Sequence, residues 1–65
     1  MSVQMDRVAI ITEMARRHIS CNDLMGLSGV SRVTITAVRN GKSCSKETAE
    51  KLAAVLGRNI IKEGG

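Results

Sequence analysis

The sequence predicts an all-α domain, a compact bundle of four or five helices, and three observations support this. None of the 65 residues is proline. No segment of strand length alternates apolar with polar side chains, as a half-buried strand does. Apolar residues recur instead at helical spacing, between serine and glycine residues that suit helix ends. A chain this short forms one domain over residues 1–65, with a core over about residues 4–61.

The first helix is predicted over about residues 4–17. Val8, Ile11 and Ala15 fall at positions i, i+3 and i+7, with Met14 beside them. This spacing places them on one helical face. We therefore expect that face to be the apolar one.

The second helix is predicted to be short, over about residues 21–27. Ser20 is a suitable N-cap, and Asp23 stands three residues later, where its side chain can satisfy the free amides of the first turn. Gly29 can adopt the left-handed conformation that ends a helix.

The third helix is predicted over about residues 32–39, with Ser31 as its N-cap. Val30, just before it, is expected to be an apolar plug. Asn40 and Gly41 form a strong turn signal that ends the helix.

A fourth helix is predicted over residues 46–56, after a loop at residues 42–44 and a Ser45 cap. Gly57 should end it, and its apolar stripe is the clearest in the sequence: Ala49, Leu52, Ala53 and Leu56. The tail, residues 58–65, should add one turn that covers the core, while Gly64 and Gly65 should fray.

The positive charge is concentrated in the middle of the chain. Between residues 24 and 46 there is no Asp or Glu, whereas basic and acidic residues are equal in number elsewhere. The whole net charge of +4 therefore lies on Arg32, Arg39, Lys42 and Lys46. Such an excess indicates an anionic partner, most often a phosphate backbone; a solvated basic surface is the alternative.

Residues 24–41 read as two short helices joined by a tight glycine turn, a helix-turn-helix. At about 100° per residue, Ile35 and Val38 of the third helix point together, so we expect them in the core. Short side chains on the opposite face would let that helix approach base edges in the major groove of duplex DNA. That face carries Val33, Thr36, Ala37 and Asn40. The absence of aromatic residues argues against stacking on single strands.

Two sets of contacts follow from this placement. Arg32 would reach guanine O6 and N7, and Val33 or Ala37 would touch thymine methyl groups. Thr34 and Thr36 would bond bases or phosphates. The expected backbone contacts are Ser20, Asn22, Arg39, Asn40, Lys42 and Lys46. The other interpretation of Val33 and Ala37 is packing on a partner subunit or on the terminal segment.

Residues 24–41, with the sequence LMGLSGVSRVTITAVRNG, resemble the Cro and phage-repressor type of helix-turn-helix domain, also called Xre-like. Residues 29–31 resemble the turn of that family, residues 34–35 the centre of its recognition helix, and residues 40–42 the following loop. Residues 45–57 are similar to its next helix, so the resemblance covers about residues 20–57.

The resemblance implies a lambda-repressor-like bundle that binds operator DNA, commonly as a dimer, and regulates transcription. By family position, the base-contacting residues are Ser31, Arg32, Val33 and Ala37. Asn40 and Lys42 are similar to phosphate-contacting residues of the family.

Three positions depart from the family pattern. Cys21 stands where the family often has a glutamine that braces the DNA backbone, so that role is not carried over. Met25 replaces a usual alanine, and Arg39 replaces a frequent glutamate. The lactose-repressor headpiece shares the Val-Ser-x-x-Thr turn and the Ser-x-Glu-Thr helix start, and it implies the same chemistry.

The leading hypothesis is a sequence-specific, double-stranded-DNA-binding transcriptional regulator, a repressor without catalytic activity. The alternative is a protein-interaction module, an antirepressor or antitoxin-like partner, in which Val33, Ala37, Ile60 and Ile61 form an apolar patch. An enzyme has little support, because the chain has one histidine, no paired carboxylates and no phosphate-cradling glycine loop.

His18, Cys21 and Cys44 offer three soft ligands at most, one fewer than a closed zinc site needs. Two cysteines without a secretory signal are more often free thiols. We therefore expect no metal, cofactor or small-molecule ligand.

No apolar stretch approaches the ~20 residues of a membrane span, and no signal peptide is visible. We expect a cytoplasmic protein of bacterial or phage origin with no membrane partner. One small module reads few base pairs, and each mismatch costs only ~1–3 kcal/mol. A homodimer is therefore expected, even if it forms only on DNA, with Ile60 and Ile61 as candidate interface residues.

Overall fold

Four α-helices form most of the structure, a computed structural model that describes residues 2–62. Two very short strands and a final 3₁₀ turn complete it. In chain order the elements are β1 (Ser2–Val3), α1 (Arg7–Arg16), α2 (Cys21–Ser28), α3 (Arg32–Arg39), β2 (Cys44–Ser45), α4 (Lys46–Leu56) and the 3₁₀ turn (Arg58–Ile60). The four predicted helices are therefore all present, and none is long and apolar enough to cross a membrane.

The two strands form a small antiparallel ladder that the sequence did not predict. Ser2 pairs with Ser45 and Val3 with Cys44, so Cys44 is not in the predicted loop. Met5 forms a further isolated bridge with Ile61. Strands of two residues are too short to show an alternating pattern, so only the tertiary structure reveals them.

The start of α1 differs from the prediction. The helix begins at Arg7 rather than near residue 4, because Asp6 is its N-cap and accepts a hydrogen bond from the Ala9 backbone N–H at 3.1 Å. Met5, just before the cap, is buried in extended backbone and belongs to the core.

Of the apolar face predicted for α1, only Met14 is buried, and the other three residues are not. Val8 is 67% exposed, and Ile11 and Ala15 are exposed too. The face that enters the core carries Ile10 and Met14. Between them on that face lies Glu13, a charged residue that the apolar spacing alone would have kept outside.

Glu13 is only 5% exposed, yet its carboxylate is fully engaged. It accepts hydrogen bonds from Arg16 at 3.1 Å, Arg17 at 2.6 Å and the Asn59 side-chain amide at 3.0 Å. The hydrogen bond from Asn59, and after it the charges of Arg16 and Arg17, lower the pKa of Glu13. The network satisfies a buried charge and ties α1 to the 3₁₀ turn.

The core confirms the other helical predictions. The full stripe of α4 is buried, as are Ile35 and Val38 of α3 and the plug residue Val30. The buried apolar residues form one cluster: Met5, Ile10, Met14, Leu24, Val30, Ile35, Val38, Ala49, Leu52, Ala53, Leu56 and Ile60.

The tail adds the predicted turn and covers the core. Ile60 is 0% exposed and Ile61 is half-buried against the core cluster. A side chain with no exposed surface cannot contact a partner subunit, so the prediction of Ile60 as an interface residue is wrong. The expected fraying of Gly64 and Gly65 lies outside the described residues.

Candidate nucleic-acid interface

The predicted caps shape the pair of helices at the centre of the chain. The Ser20 hydroxyl accepts from the Asp23 backbone N–H at 3.1 Å, and the Asp23 carboxylate accepts from the Ser20 N–H at 3.1 Å. This is a complete capping box. The backbone hydrogen bond from Ser20 lowers the pKa of Asp23.

The turn between α2 and α3 depends on glycine. Gly29 has φ of +76°, a left-handed conformation that glycine adopts without steric cost, and its N–H donates to the Met25 carbonyl at 2.9 Å. The Ser28 hydroxyl donates to the Leu24 carbonyl and accepts from the Val30 N–H at 3.2 Å. These bonds fix how the chain leaves α2 and enters α3.

The orientation of α3 is set by its two buried residues, Ile35 and Val38. Val33 is consequently 79% exposed, Thr36 is exposed and Ala37 is half-buried. The exposed side of α3 is therefore the one predicted from helical geometry. It presents small side chains without a carboxylate.

Two predicted site residues are joined in the structure. The Arg32 guanidinium, at the start of α3, donates to the Asn22 side-chain oxygen, near the start of α2, at 2.5 Å. Both side chains are exposed. This hydrogen bond links the arginine at the first turn of α3 to the start of α2.

Ser31 and Thr34 are partly engaged with each other. The Ser31 hydroxyl accepts from the Thr34 backbone N–H at 3.4 Å and donates to the Thr34 hydroxyl at 3.0 Å. Thr34 is half-buried, so its hydroxyl belongs to the cap of α3 as well as to the surface.

The candidate phosphate contacts lie in two groups. Ser20 and Asn22 are exposed at the start of α2. Asn40, Lys42 and Lys46 are exposed between the end of α3 and the start of α4, where the Lys42 N–H donates to the Ala37 carbonyl at 3.0 Å.

Arg39 is placed differently from the other candidates. It is half-buried, and its Nε is enclosed with no hydrogen-bond partner among residues 2–62. It lines a cleft between α1 and α3 of about 300 Å³, together with Arg7, Ile11, Thr36 and Asn40.

The sequence did not single out Arg7, because it lies in the part of the chain where charges balance. The tertiary structure brings it beside α3. Near it, the Gln4 side-chain amide donates to the Gly41 carbonyl at 3.3 Å, which holds the segment before α1 against the loop after α3. No local sequence signal reports such a contact.

The basic residues between positions 24 and 46 form no ion pair within the described residues. The ion pairs found within the described residues join Glu13 to Arg16 and Arg17, and Glu47 to Lys51. None of them involves Arg32, Arg39, Lys42 or Lys46. The positive charge predicted from the sequence is therefore exposed at Arg32, Lys42 and Lys46 and half-buried at Arg39.

The residues considered for a metal do not gather in the described part of the chain, where no three His, Cys, Asp or Glu side chains cluster. Cys21 and Cys44 are free thiols and half-buried. Burial raises the pKa of the Cys44 thiol, which keeps it protonated.

Two short helices joined through a left-handed glycine, with a basic and otherwise uncharged second helix, define a helix-turn-helix protein. A family model described as the Cro/C1-type HTH DNA-binding domain matches residues 10–61. The chain belongs to this family. Searches of curated proteins and of solved structures found no match.

The family match confirms the resemblance to the Cro and phage-repressor type. It extends beyond residues 20–57 at both ends and includes most of α1, the 3₁₀ turn and Ile61. The tail as far as Ile61 and most of α1 are thus part of the family's domain.

Proposed function

We propose that this chain is a sequence-specific regulator that binds double-stranded DNA and acts as a repressor, with α3 inserted in the major groove. The observation that carries the proposal is the exposed face of α3. It has short side chains, no carboxylate, and an arginine at its first turn. A helix of this kind can enter the major groove closely enough for its side chains to reach base edges.

The base contacts would come from the first half of α3 and its cap. Arg32, directed by Asn22, is suited to a bidentate contact with guanine. Val33 and Ala37 are suited to thymine methyl groups. Ser31, Thr34 and Thr36 supply hydroxyl groups for bases or nearby phosphates.

The backbone contacts would position the helix without reading sequence. Ser20 and Asn22 stand at the N-terminus of α2, where free backbone N–H groups and the helix dipole favour a phosphate. A second group would contact the phosphate backbone from the end of α3 to the start of α4: Arg39, Asn40, Lys42 and Lys46. The charges of Arg39, Lys42 and Lys46 have no carboxylate partner in the described structure, which supports this role.

A homodimer, formed at the latest on DNA, would supply the specificity that one module lacks. Its contact surface does not include Ile60, which is buried. We place the activity in the cytoplasm, on bacterial or phage operator DNA, and without a cofactor or catalytic step.

The alternative, a protein-interaction module, keeps one observation in its favour, the exposed side chains of Val33 and Leu27. Two of its four proposed patch residues, Ile60 and Ile61, are instead packed on the core. The alternative predicts no preference among DNA sequences.

Selection of bound duplexes from a random pool tests the proposal directly. We expect a motif with one or two half-sites to be enriched, and its affinity to fall steeply with salt. Absence of enrichment together with salt-independent affinity would rule out the proposed function in favour of the alternative.

Two variants separate the proposed roles on the selected duplex. Arg32→Ala should cost about 1–3 kcal/mol on the selected sequence and little on random DNA. Lys42→Ala should weaken both duplexes equally and reduce the salt slope by about one. Equal losses on both duplexes for Arg32→Ala would show that Arg32 does not read a base. Lys51→Ala is the matched control, because Lys51 pairs with Glu47 on α4.

A further inference from the structure

The cleft between the start of α1 and the end of α3 has the lining of an anion site. Its volume is about 300 Å³. Two guanidinium groups, a hydroxyl and an amide supply its polar groups, from Arg7, Arg39, Thr36 and Asn40, and no lining residue is acidic. Ile11 forms an apolar wall.

The positive charge in this cleft is not neutralised within residues 2–62. Neither Arg7 nor Arg39 takes part in the ion pairs found there. The neighbouring carboxylate of Asp6 caps α1 by accepting from the Ala9 N–H. The Arg39 Nε is buried without an acceptor, which is an unfavourable state that an anion bound beside it would relieve.

The cleft is continuous with the proposed DNA-binding face. Thr36 of α3 and Asn40, the residue that caps its end, belong to both, since both are exposed and also line the cleft. Arg7 lies against the loop after α3, because a Cβ placed on Gly41 would be 3.7 Å from the Arg7 Cδ. An anion in the cleft would therefore sit beside the groove-facing helix and the Asn40–Lys42 segment.

We propose that this cleft binds a phosphate of the DNA backbone between Arg7 and Arg39, so that α1 takes part in DNA binding along with the helix-turn-helix. The proposal rests on the proposed function. Guanidinium groups suit this role because their planar fork of N–H donors matches a phosphate. Arg39, half-buried and with an Nε that has no partner within residues 2–62, provides one side of the site, and the exposed Arg7 provides the other.

The test compares Arg7→Gln with Arg58→Gln. Arg58 is an exposed arginine of the 3₁₀ turn that does not line the cleft, so the two variants remove the same charge at different places. Arg7 is exposed, so its replacement should leave the core intact. The dissociation constant is measured for each protein on a selected and on a random duplex over a range of salt.

Loss of one phosphate contact lowers the slope of log K against log salt by about 0.9. We take the plots of log K against log salt for the wild type and the variant to meet near 1 M salt. Arg7→Gln should then bind DNA about eightfold more weakly than the wild type at 0.1 M salt and about fourfold more weakly at 0.2 M. The loss should be equal on both duplexes. Arg58→Gln should keep the wild-type slope.

The outcomes distinguish this inference from the proposed function. If the wild type shows salt-dependent binding but Arg7→Gln and Arg58→Gln behave alike, the cleft inference is wrong and the proposed function stands. If the wild type does not bind duplex DNA, both are wrong.

A second measurement does not depend on a variant. The side-chain Nε–H resonances of Arg7 and Arg39 should shift on addition of duplex DNA, while that of Arg58 should not. Unchanged Arg7 and Arg39 signals in a saturated complex would overturn the proposal.

Discussion

Replacing Ile60 with alanine should strongly destabilise the folded protein even without a partner, because this side chain is completely enclosed by the fold. Ile60 is 0% exposed and belongs to the same cluster as Met5 and Leu56. Truncation of a buried isoleucine to alanine costs about 2–5 kcal/mol. A domain of this size has a total unfolding free energy of roughly 3–10 kcal/mol, so the variant should lose a large part of it.

The expected loss is large enough to measure by thermal unfolding. At about 4–8 °C per kcal/mol for a small domain, Ile60→Ala should lower Tm by upwards of roughly 10 °C. Ile60→Val should lose about 0.5–1.5 kcal/mol and keeps the test open if the alanine variant does not fold. Val33→Ala is the matched control, since a side chain 79% exposed should change stability by less than about 0.5 kcal/mol.

The protein concentration separates a core role from an interface role. A core residue destabilises equally at every concentration, whereas an interface residue loses its effect where the wild type is monomeric. An Ile60→Val loss that disappears on dilution, or an Ile60→Ala protein that melts like the wild type, would refute the reasoning.

Two further predictions concern Glu13 and Asn22. The pKa of Glu13 is lowered in the fold, so its charged form stabilises the native state above the ordinary value of 4.5, and this stability is lost as pH falls through the folded-state pKa. Urea unfolding of the wild type and of Glu13→Gln from neutral to acid pH should show a weaker acid dependence in the variant; parallel pH profiles would contradict the role of the network. Asn22→Ala should release Arg32 and weaken binding to the selected duplex by about 1 kcal/mol, or roughly fivefold, with the salt slope unchanged. Asn22 is also a proposed phosphate contact, so a smaller loss is expected on random DNA; a loss as large as that on the selected duplex would show that Asn22 does not direct Arg32.

The ends of α2, α3 and α4 were predictable because their signals act within one turn. Ser20 and Asp23 cap α2 through bonds between residues three apart, and Ser31 and Ser45 cap α3 and α4 in the same way. Gly29 ends α2 through its own backbone conformation. None of these features needs information from elsewhere in the chain.

The face of α1 was not predictable from spacing, because the buried face includes a carboxylate that is satisfied partly from the tail. Val8 and Ile11 fit an apolar stripe as well as Ile10 and Met14 do, since residues 8–11 are all apolar. The structure selects the second face by burying Glu13, whose carboxylate is satisfied in part by Asn59 from the tail. The helical spacing of apolar residues cannot predict that a charged residue such as Glu13 lies in the core.

The part of the candidate site on α3 was predictable from the sequence. The part beside α3 was not. Helical geometry alone places Ile35 and Val38 inward and Val33 and Thr36 outward, as the structure shows. Arg7 reaches the site only through the packing of α1 on α3, and the charge count of the sequence assigned it to a neutral region. Contacts between distant segments were the missing information.

The two ends of the described chain are bound to each other. The Asp6 N–H donates to the Ile60 carbonyl at 2.7 Å, the Lys62 N–H donates to the Gln4 carbonyl at 2.9 Å, and Met5 forms a bridge with Ile61. Contacts with such large sequence separation close the longest loop within the described residues, which carries the largest loop-closure entropy cost. A chain still on the ribosome cannot complete this core until residues 60–62 have left the exit tunnel, because Ile60 and the backbone partners of Gln4 and Asp6 lie there.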